Sequence, residues 1–542
     1  MTSKCGLTRL FSLLVLWPLA LQAAEPPSNM RIGKIHIATH EIFNTNDPNE
    51  SHSVYHLANR LHIKTREGLI QRDLPFKEGD LYDAELVKEA ERNLRRFSFL
   101  RYAEIKTLPP EDGRVDLMIV TRDAWTLEPQ ANFRRVAGRN TWSVGLVERN
   151  LLGLGRTFSG FYGRNPSGIE RTLFYKDPQF LGRHLEFEGG IAEEEDYRVY
   201  GVSIEKPFTT TITPFSVRTA AFVRDQEMSR YVNNKEVGKF YKSHRNTYAG
   251  LARSLGSTPS LVRHVSVGLR HADDQYHALE GSIGNTLPAN HEVDRVEIGG
   301  KWQKVDYIKT NHIKRFDRDE DYNTGSGISG TIGLATHRKT YDAGRIFPTL
   351  NMGTGHAWSE GHFALFKTKY TSRITKHDTD NLLSSFNLEY YNRLFKRHTF
   401  AMHANFDYGH NLELDEVLLL GEDTGLRAYP RGFLSGHKKL LFNLEDRIFF
   451  LDDVLSLMSL GGTLFFDSGN AWMQGKSLRM RDFRNSVGAG LRIAFSRSTR
   501  NIPIRVDFSY ALNDNNHKSR FVVSIISGQA FGEPKEKTDF GP

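Results

Sequence analysis

The side chains with reactive potential in this 542-residue chain do not assemble into a catalytic motif. Gly469 followed by Gly475-Lys476-Ser477 approaches a phosphate-binding loop, whose backbone N–H groups would cradle a phosphate. The spacing is one residue too long, however, and the segment reads as strand and turn instead of strand and helix. No Gly-x-Ser-x-Gly elbow is present to expose a nucleophilic serine. The 21 histidines include no His-Glu-x-x-His pair, and His403 and His410 read as wall or loop residues. The single cysteine, Cys5, lies before the first apolar run, so the mature chain is expected to have neither a disulfide nor thiol chemistry. The expectation is a protein that is not an enzyme and uses no cofactor and no metal.

The elements point elsewhere. From about Glu128 to Phe531 the chain alternates, interrupted by Gly, Asn and Asp turns. Phe400, Met402, Ala404, Phe406 and Tyr408 alternate with Ala401, His403, Asn405 and Asp407. Val487, Ala489, Leu491, Ile493 and Phe495 alternate with Ser486, Gly488, Gly490, Arg492 and Ala494, and Ile504, Val506, Phe508 and Tyr510 with Arg505, Asp507 and Ser509. Such strands put one face to lipid and the other to a polar lumen, and about ten residues suffice to cross the hydrocarbon when tilted. A soluble β-sandwich also alternates. Against it stand an export signal, some 400 residues without a domain break, and Arg, His and Asp on faces opposite wholly apolar ones. The fold expected is a transmembrane antiparallel β-barrel over residues 128–531. An even strand number is expected, and about 25 residues per strand with its loop predicts about 16 strands.

Residues 1–24 carry Lys4 and Arg9, the apolar run Leu10 to Leu21, and small Ala23 and Ala24, which is the pattern of a cleaved signal peptide. Residues 30–127 mix periods and predict one small α+β domain. Arg31 to Ile37 reads as a strand; Val54, Leu57, Ala58 and Leu61 fall at helical spacing. In a second helix Asp83 is the cap, Tyr82 and Val87 the staple, and Leu86, Ala90, Leu94 and Phe97 the apolar face. Arg101 to Thr107 and Val115 to Thr121 are two strands joined by a turn at Glu111-Asp112-Gly113. Residues 532–542 form a polar tail read as disordered. The net charge of +8 is spread over 72 basic and 64 acidic residues without a polybasic block, so no nucleic-acid partner is expected. No apolar stretch of 18 residues follows the signal, which excludes ordinary transmembrane helices.

Against that frame certain motifs resemble those of the BamA/TamA superfamily of outer-membrane assembly proteins. Gly425-Leu426-Arg427-Ala428-Tyr429, with Gly436 and Asn443-Leu444-Glu445-Asp446-Arg447 after it, resembles the superfamily's inward-folded loop. Phe465-Phe466-Asp467-Ser468-Gly469 resembles its Phe-x-Asp-x-Gly strand motif. By that resemblance Arg427 pairs with Asp467, with Glu445 as second partner, because a charge in a confined lumen needs a fixed counter-charge. Ala428 departs from the glycine usual there. Glu148 to Gly155 resembles the first-hairpin signature of these barrels, and Tyr175-Lys176-Asp177-Pro178 the turn that follows. The small domain resembles a single POTRA (polypeptide-transport-associated) domain. Phe521 to Phe531 reads as the closing strand ending in an aromatic residue.

The resemblance implies an outer-membrane protein, its POTRA-like domain in the periplasm, that assists insertion or translocation of client polypeptides, themselves outer-membrane or secreted proteins. It implies strand addition to the domain's sheet edge, at Arg31 to Ile37 or one of the later two strands, and a weak seam between first and last strands. The partners expected are such clients and outer-membrane lipid, the chain itself being a monomer or small homo-oligomer. The alternative is a passive or solute-selective pore.

Overall fold

In a computed structural model, the structure describes residues 30–531 apart from 137–138, 166–167, 233–234, 280–286, 317, 340–344, 377, 414–415, 500–502 and 514–519. The expected signal peptide and the tail 532–542 lie outside the described residues. No described helix is long and apolar enough to cross a membrane; the crossing is made by strands.

Residues 30–123 form a three-stranded sheet covered by helices. Arg31–His40 runs parallel to the central strand Arg114–Asp123, and Leu100–Thr107 pairs antiparallel on its other side. The turn is made where expected, with Asp112 and Gly113 both at positive φ. Asp83 caps the helix Ala84–Arg96 by accepting from the backbone N–H groups of Glu85 and Leu86. Tyr82, Val87, Ala90 and Leu94 join Leu69, Ile70, Val115, Leu117 and Ile119 in one core. Two details differ from expectation. A short third helix, Glu67–Asp73, lies between the two predicted ones. In Ser53–Leu61, Val54, Leu57 and Leu61 are exposed and Tyr55 is buried with Ile42 and Phe43. The helix turns the other way because the core is already filled by Leu69 and Ile70 of the extra helix.

From Leu127 the chain builds a closed barrel in which each strand pairs antiparallel with the next and Phe521–Ser527 returns to Leu127–Val136. Among the described residues the barrel has twenty strands, not sixteen. The expected 25 residues per strand was too generous because many connections are short: residues 152–155, 360–361 and 396–397 each link two strands. The pleat sorts the side chains as predicted. Along Leu261–Ala278, Val265, Val267 and Leu269 are exposed outward, whereas Arg270 is buried inward. Leu146, Leu173, Val202, Leu251, Ile298 and Ile332 continue this apolar outer surface on other strands. An apolar band of that extent has no place in water and is satisfied by a bilayer.

Two insertions fold inward. Residues 305–326 carry a hairpin, Tyr307–Thr310 with Glu320–Asn323, and bury Ile313 and Phe316. The Glu320 carboxylate organises this insertion by accepting from the backbone N–H groups of Ile313 and Lys314, both at 3.0 Å. At the opposite end of the barrel, Leu418–Leu420 pairs with Leu434–Gly436 in the loop that carries Arg427.

The α+β domain is docked on the barrel end where the chain enters. Arg95 forms a two-pronged pair with Asp321 (3.1 and 3.0 Å). Thr211 binds Glu89 through its N–H and hydroxyl groups (2.7 and 2.9 Å). Asn150 donates to Thr65 (2.9 Å), Gln179 to the Leu69 carbonyl (3.2 Å), and the Tyr55 hydroxyl to the Leu455 carbonyl (2.6 Å). Arg497 pairs with Glu50. The two hairpin motifs singled out in the sequence, near Asn150 and Asp177, thus flank the turns that receive the domain.

Candidate functional site: the lumen lock

Alternation puts Asn443, Glu445 and Arg447 of the strand Lys438–Val454 on the lumen face. The register Asn443↔Asp467 and Glu445↔Phe465 sets Asp467 and Phe465 of Met458–Trp472 directly beside them. The loop above must deliver a cation into that wall. Its chain turns at Gly425, whose φ of +119° is open to glycine and where a Cβ would lie 2.5 Å from Leu441. Leu426, Ala428 and Tyr429 then bury against Leu420, Leu434, Leu441 and Ala471, anchoring the loop on both sides of Arg427. Ala428 fits without glycine's freedom: it has no positive φ and packs as a small apolar residue.

Arg427 Nε donates to Asp467 Oδ2 at 2.9 Å, and Nη2 to Oδ1 at 2.6 Å. Its Nη1 donates to Glu445 Oε1 at 2.7 Å. The guanidinium lies 3.5 Å over the Phe465 ring centroid. Asp467 also accepts from Asn443 (2.8 Å) and Ser486 (3.2 Å), so both of its oxygens are committed. Asn443 closes the circuit by donating to the Gly425 carbonyl at 2.8 Å. All three charged side chains are almost wholly buried. A bidentate, desolvated pair of this kind fixes orientation as well as position. Tyr429 is buried with its hydroxyl 3.0 Å from the Asn485 carbonyl and 3.0 Å from Asn513 Oδ1, tying the loop tip to the next strands. Gly436 ends the short loop strand, and Gly469 faces Leu441 across the ladder.

The structure extends this group with residues to which the sequence reading gave no role. Arg447 Nε donates to Glu445 Oε2 (2.8 Å) and its Nη1 to the Ile313 carbonyl (2.9 Å), linking the lock to the inserted hairpin. Asp507 accepts from Arg492 (2.6 Å) and Arg505 (3.2 Å). Arg492, Arg505 and Asp507 had been placed on polar strand faces by their alternation, which was the available sign; that they converge depends on barrel stagger. The group is roofless toward the lumen: a cavity of about 1880 Å³ is bounded by Arg427 at one end and by Phe43, Ala58 and Trp125 of the docked domain at the other. Among the described residues no cluster of three or more His, Cys, Asp or Glu is arranged to hold a metal ion.

The closing strand is shorter than expected. It spans Phe521–Ser527; Gly528, at φ +95°, ends it. Phe521 is exposed on the strand's outer face, but Phe531 is not part of the strand. It turns into the barrel, stacks on His403 (centroids 5.3 Å, planes 16° apart) and packs with Ile313, Tyr322, Phe363 and Tyr391. The left-handed backbone at Gly528 is what redirects the chain.

No family model matches the chain, and no curated protein does. The solved structures similar to it include BamA from Haemophilus ducreyi lacking POTRA domains 1–3, at 14% identity and TM-score 0.38, covering 91% of this chain and 84% of that one. They also include CdiB from Acinetobacter baumannii (12%, TM-score 0.42, covering 92% and 74%) and CdiB from Escherichia coli (11%, TM-score 0.46, covering 91% and 75%).

Proposed function

We propose that this chain is a non-enzymatic outer-membrane protein of the BamA/TamA kind that assists insertion or translocation of polypeptides, with the α+β domain acting as a single POTRA domain in the periplasm. The observation that carries the reading is the barrel seam. Elsewhere neighbouring strands match over seven to eighteen residue pairs. At the seam, among the described residues, Val523↔Arg135, Ser524↔Arg134 and Ile525↔Phe133 face each other. Antiparallel pairing supplies about one backbone hydrogen bond per residue pair, so this joint is held by about three. It is the natural place for a barrel to part and offer unpaired strand edges to a client. The lock braces the strands that lead up to the closing strand, Lys438–Val454 and Met458–Trp472, on one side of that seam.

Strand addition to the domain is less open than the sequence suggested. Arg114–Asp123 is central, so the edges are Arg31–His40 and Leu100–Thr107. Carboxylates already occupy N–H groups of both: Glu78 accepts from Ile35 and Glu91 from Ile105, each at 3.0 Å. A client strand must displace them.

The pore alternative draws on the lumen cavity. One experiment separates the two: deplete the protein, complement with a Ser524→Cys/Arg134→Cys variant, and quantify the outer-membrane and secreted proteomes. Since Cys5 is the single native cysteine, the engineered pair reports the seam alone. Assembly predicts selective loss of certain proteins, restored by wild type and by the reduced variant but not by the oxidised one. An unchanged proteome with solute-dependent conductance through the oxidised barrel selects the pore.

A further inference from the structure

Behind the lock, a second small cavity opens between Arg447, Thr463, Arg492, Phe316 and Gln529, with room for a water-sized sphere to move its centre over about 10 Å³. Its polar lining is deeply buried: Arg447 is 2% exposed, Thr463 2%, Arg492 3% and Gln529 8%. Each nevertheless turns at least one polar atom to no protein partner. These atoms are Arg447 Nη2, Arg492 Nε and Nη2, Thr463 Oγ1 and Gln529 Oε1. Buried guanidinium N–H groups without an acceptor are costly, and several around one void are rare.

The lining is unbalanced in two ways. Donors outnumber acceptors: Arg447 Nη2 and Arg492 Nε and Nη2 carry five N–H groups, whereas the acceptors are the Thr463 hydroxyl oxygen and Gln529 Oε1, Gln529 Nε2 being committed to the Lys314 carbonyl at 2.8 Å. One water accepts about two hydrogen bonds, so a single water cannot take all five guanidinium hydrogens. Charge is unbalanced too. The connected group contains four guanidiniums, Arg427, Arg447, Arg492 and Arg505, against three carboxylates, Glu445, Asp467 and Asp507, an excess of one positive charge (4 − 3) among these residues.

We propose that this cavity is a binding site for one monatomic anion of chloride's charge and size. The Arg447 and Arg492 N–H groups and the Thr463 hydroxyl donate to it, and Gln529 Oε1 takes a guanidinium hydrogen the ion leaves over. A single negative charge cancels the excess. The volume excludes phosphate, sulfate and carboxylates. Thr463, Arg447 and Arg492 belong to three successive barrel strands, and Gln529 follows the closing strand by two residues. The ion therefore ties the segment after the seam to the wall beneath the lock.

The test uses the full mature chain, refolded in detergent and crystallised in bromide. An anomalous peak between Arg447, Arg492 and Thr463 is expected; density for water there, or bromide only on the outer surface, overturns the proposal. In parallel, thermal unfolding is followed in chloride and gluconate at equal ionic strength. Saturable stabilisation by chloride is expected, with its midpoint raised about tenfold or more by Arg492→Gln, the weight of one charge-assisted hydrogen bond. Should that variant fail to fold, Thr463→Val serves, with a smaller rise expected. Equal unfolding of the wild type in the two salts overturns the site.

Discussion

Replacing Arg427 with Leu removes three short charge-assisted hydrogen bonds and the contact with Phe465 in one step. What remains decides the cost. Glu445 keeps Arg447, but Asp467 keeps only neutral donors, Asn443, Ser486 and the backbone N–H of residue 427 (3.4 Å), while staying fully buried. Stranding one partner of a buried pair costs about 3–5 kcal/mol, which is a factor of roughly 10² to 10³ or more in the population of loop-released molecules. Leu is chosen so that the loop keeps apolar bulk beside Leu426 and Tyr429. The loss is read by hydrogen exchange at Gly425–Tyr429 and by thermal unfolding of the barrel. Arg427→Lys, which keeps the charge but not the fork, falls between. The control is Arg427→Leu with Asp467→Leu: because the stranded carboxylate is gone, the double variant is expected to recover a good part of the loss, a coupling of at least 2 kcal/mol by the logic of mutant cycles. A single-variant loss under about 1 kcal/mol with an unchanged exchange pattern would refute the claim that this pair holds the loop.

Other expectations follow from the same geometry. Asp73 sits at the last position of its helix, half-buried in the domain, and burial pushes its carboxyl up to about 6 from an ordinary 3.8. The folded domain thus binds this proton more tightly than the unfolded chain, so the contribution is full below about pH 4 and lost as pH rises to about 6. Asp73→Asn should stabilise the domain by about 2–3 kcal/mol at pH 8 and by little at pH 4, measured by hydrogen exchange of its core strands in the full chain; equal gains at both pH values speak against this origin. Phe531→Ala deletes a buried ring from His403 and from the Arg447 guanidinium 4.7 Å away. About 3 kcal/mol of local stability should go with it, seen as protease access at residues 528–531 while the barrel still unfolds only on heating; protection like that of wild type would show the ring is no anchor.

How far the sequence carried the reading depends on the range of the cause. Alternation along a strand is dictated by the pleat itself, so Arg492, Arg505 and Asp507 fell on the lumen face before any contact was known. Their convergence is a matter of stagger between strands, which no local pattern encodes. The helix cap at Asp83 and its apolar face were legible for the same local reason, whereas Ser53–Leu61 was misoriented because a neighbouring helix had taken its place in the core. Strand number failed because two-residue connections between long strands leave almost no polar gap to count. Phe531 looked like the end of a strand; one residue three positions earlier, Gly528, changed its destination.

The docked domain also sets a condition on whatever uses this barrel. Because Phe43, Ala58 and Trp125 line one end of the lumen cavity, passage of a chain through the barrel, on the proposed function, would require Arg95, Glu89 and Tyr55 to leave Asp321, Thr211 and Leu455 of the rim, so that docked and undocked molecules would be two populations. A ligand that grips both populations equally leaves their ratio where it was, however tightly it binds. On the proposed function, selectivity for the undocked form, more than affinity as such, would be what distinguishes a client from a bystander.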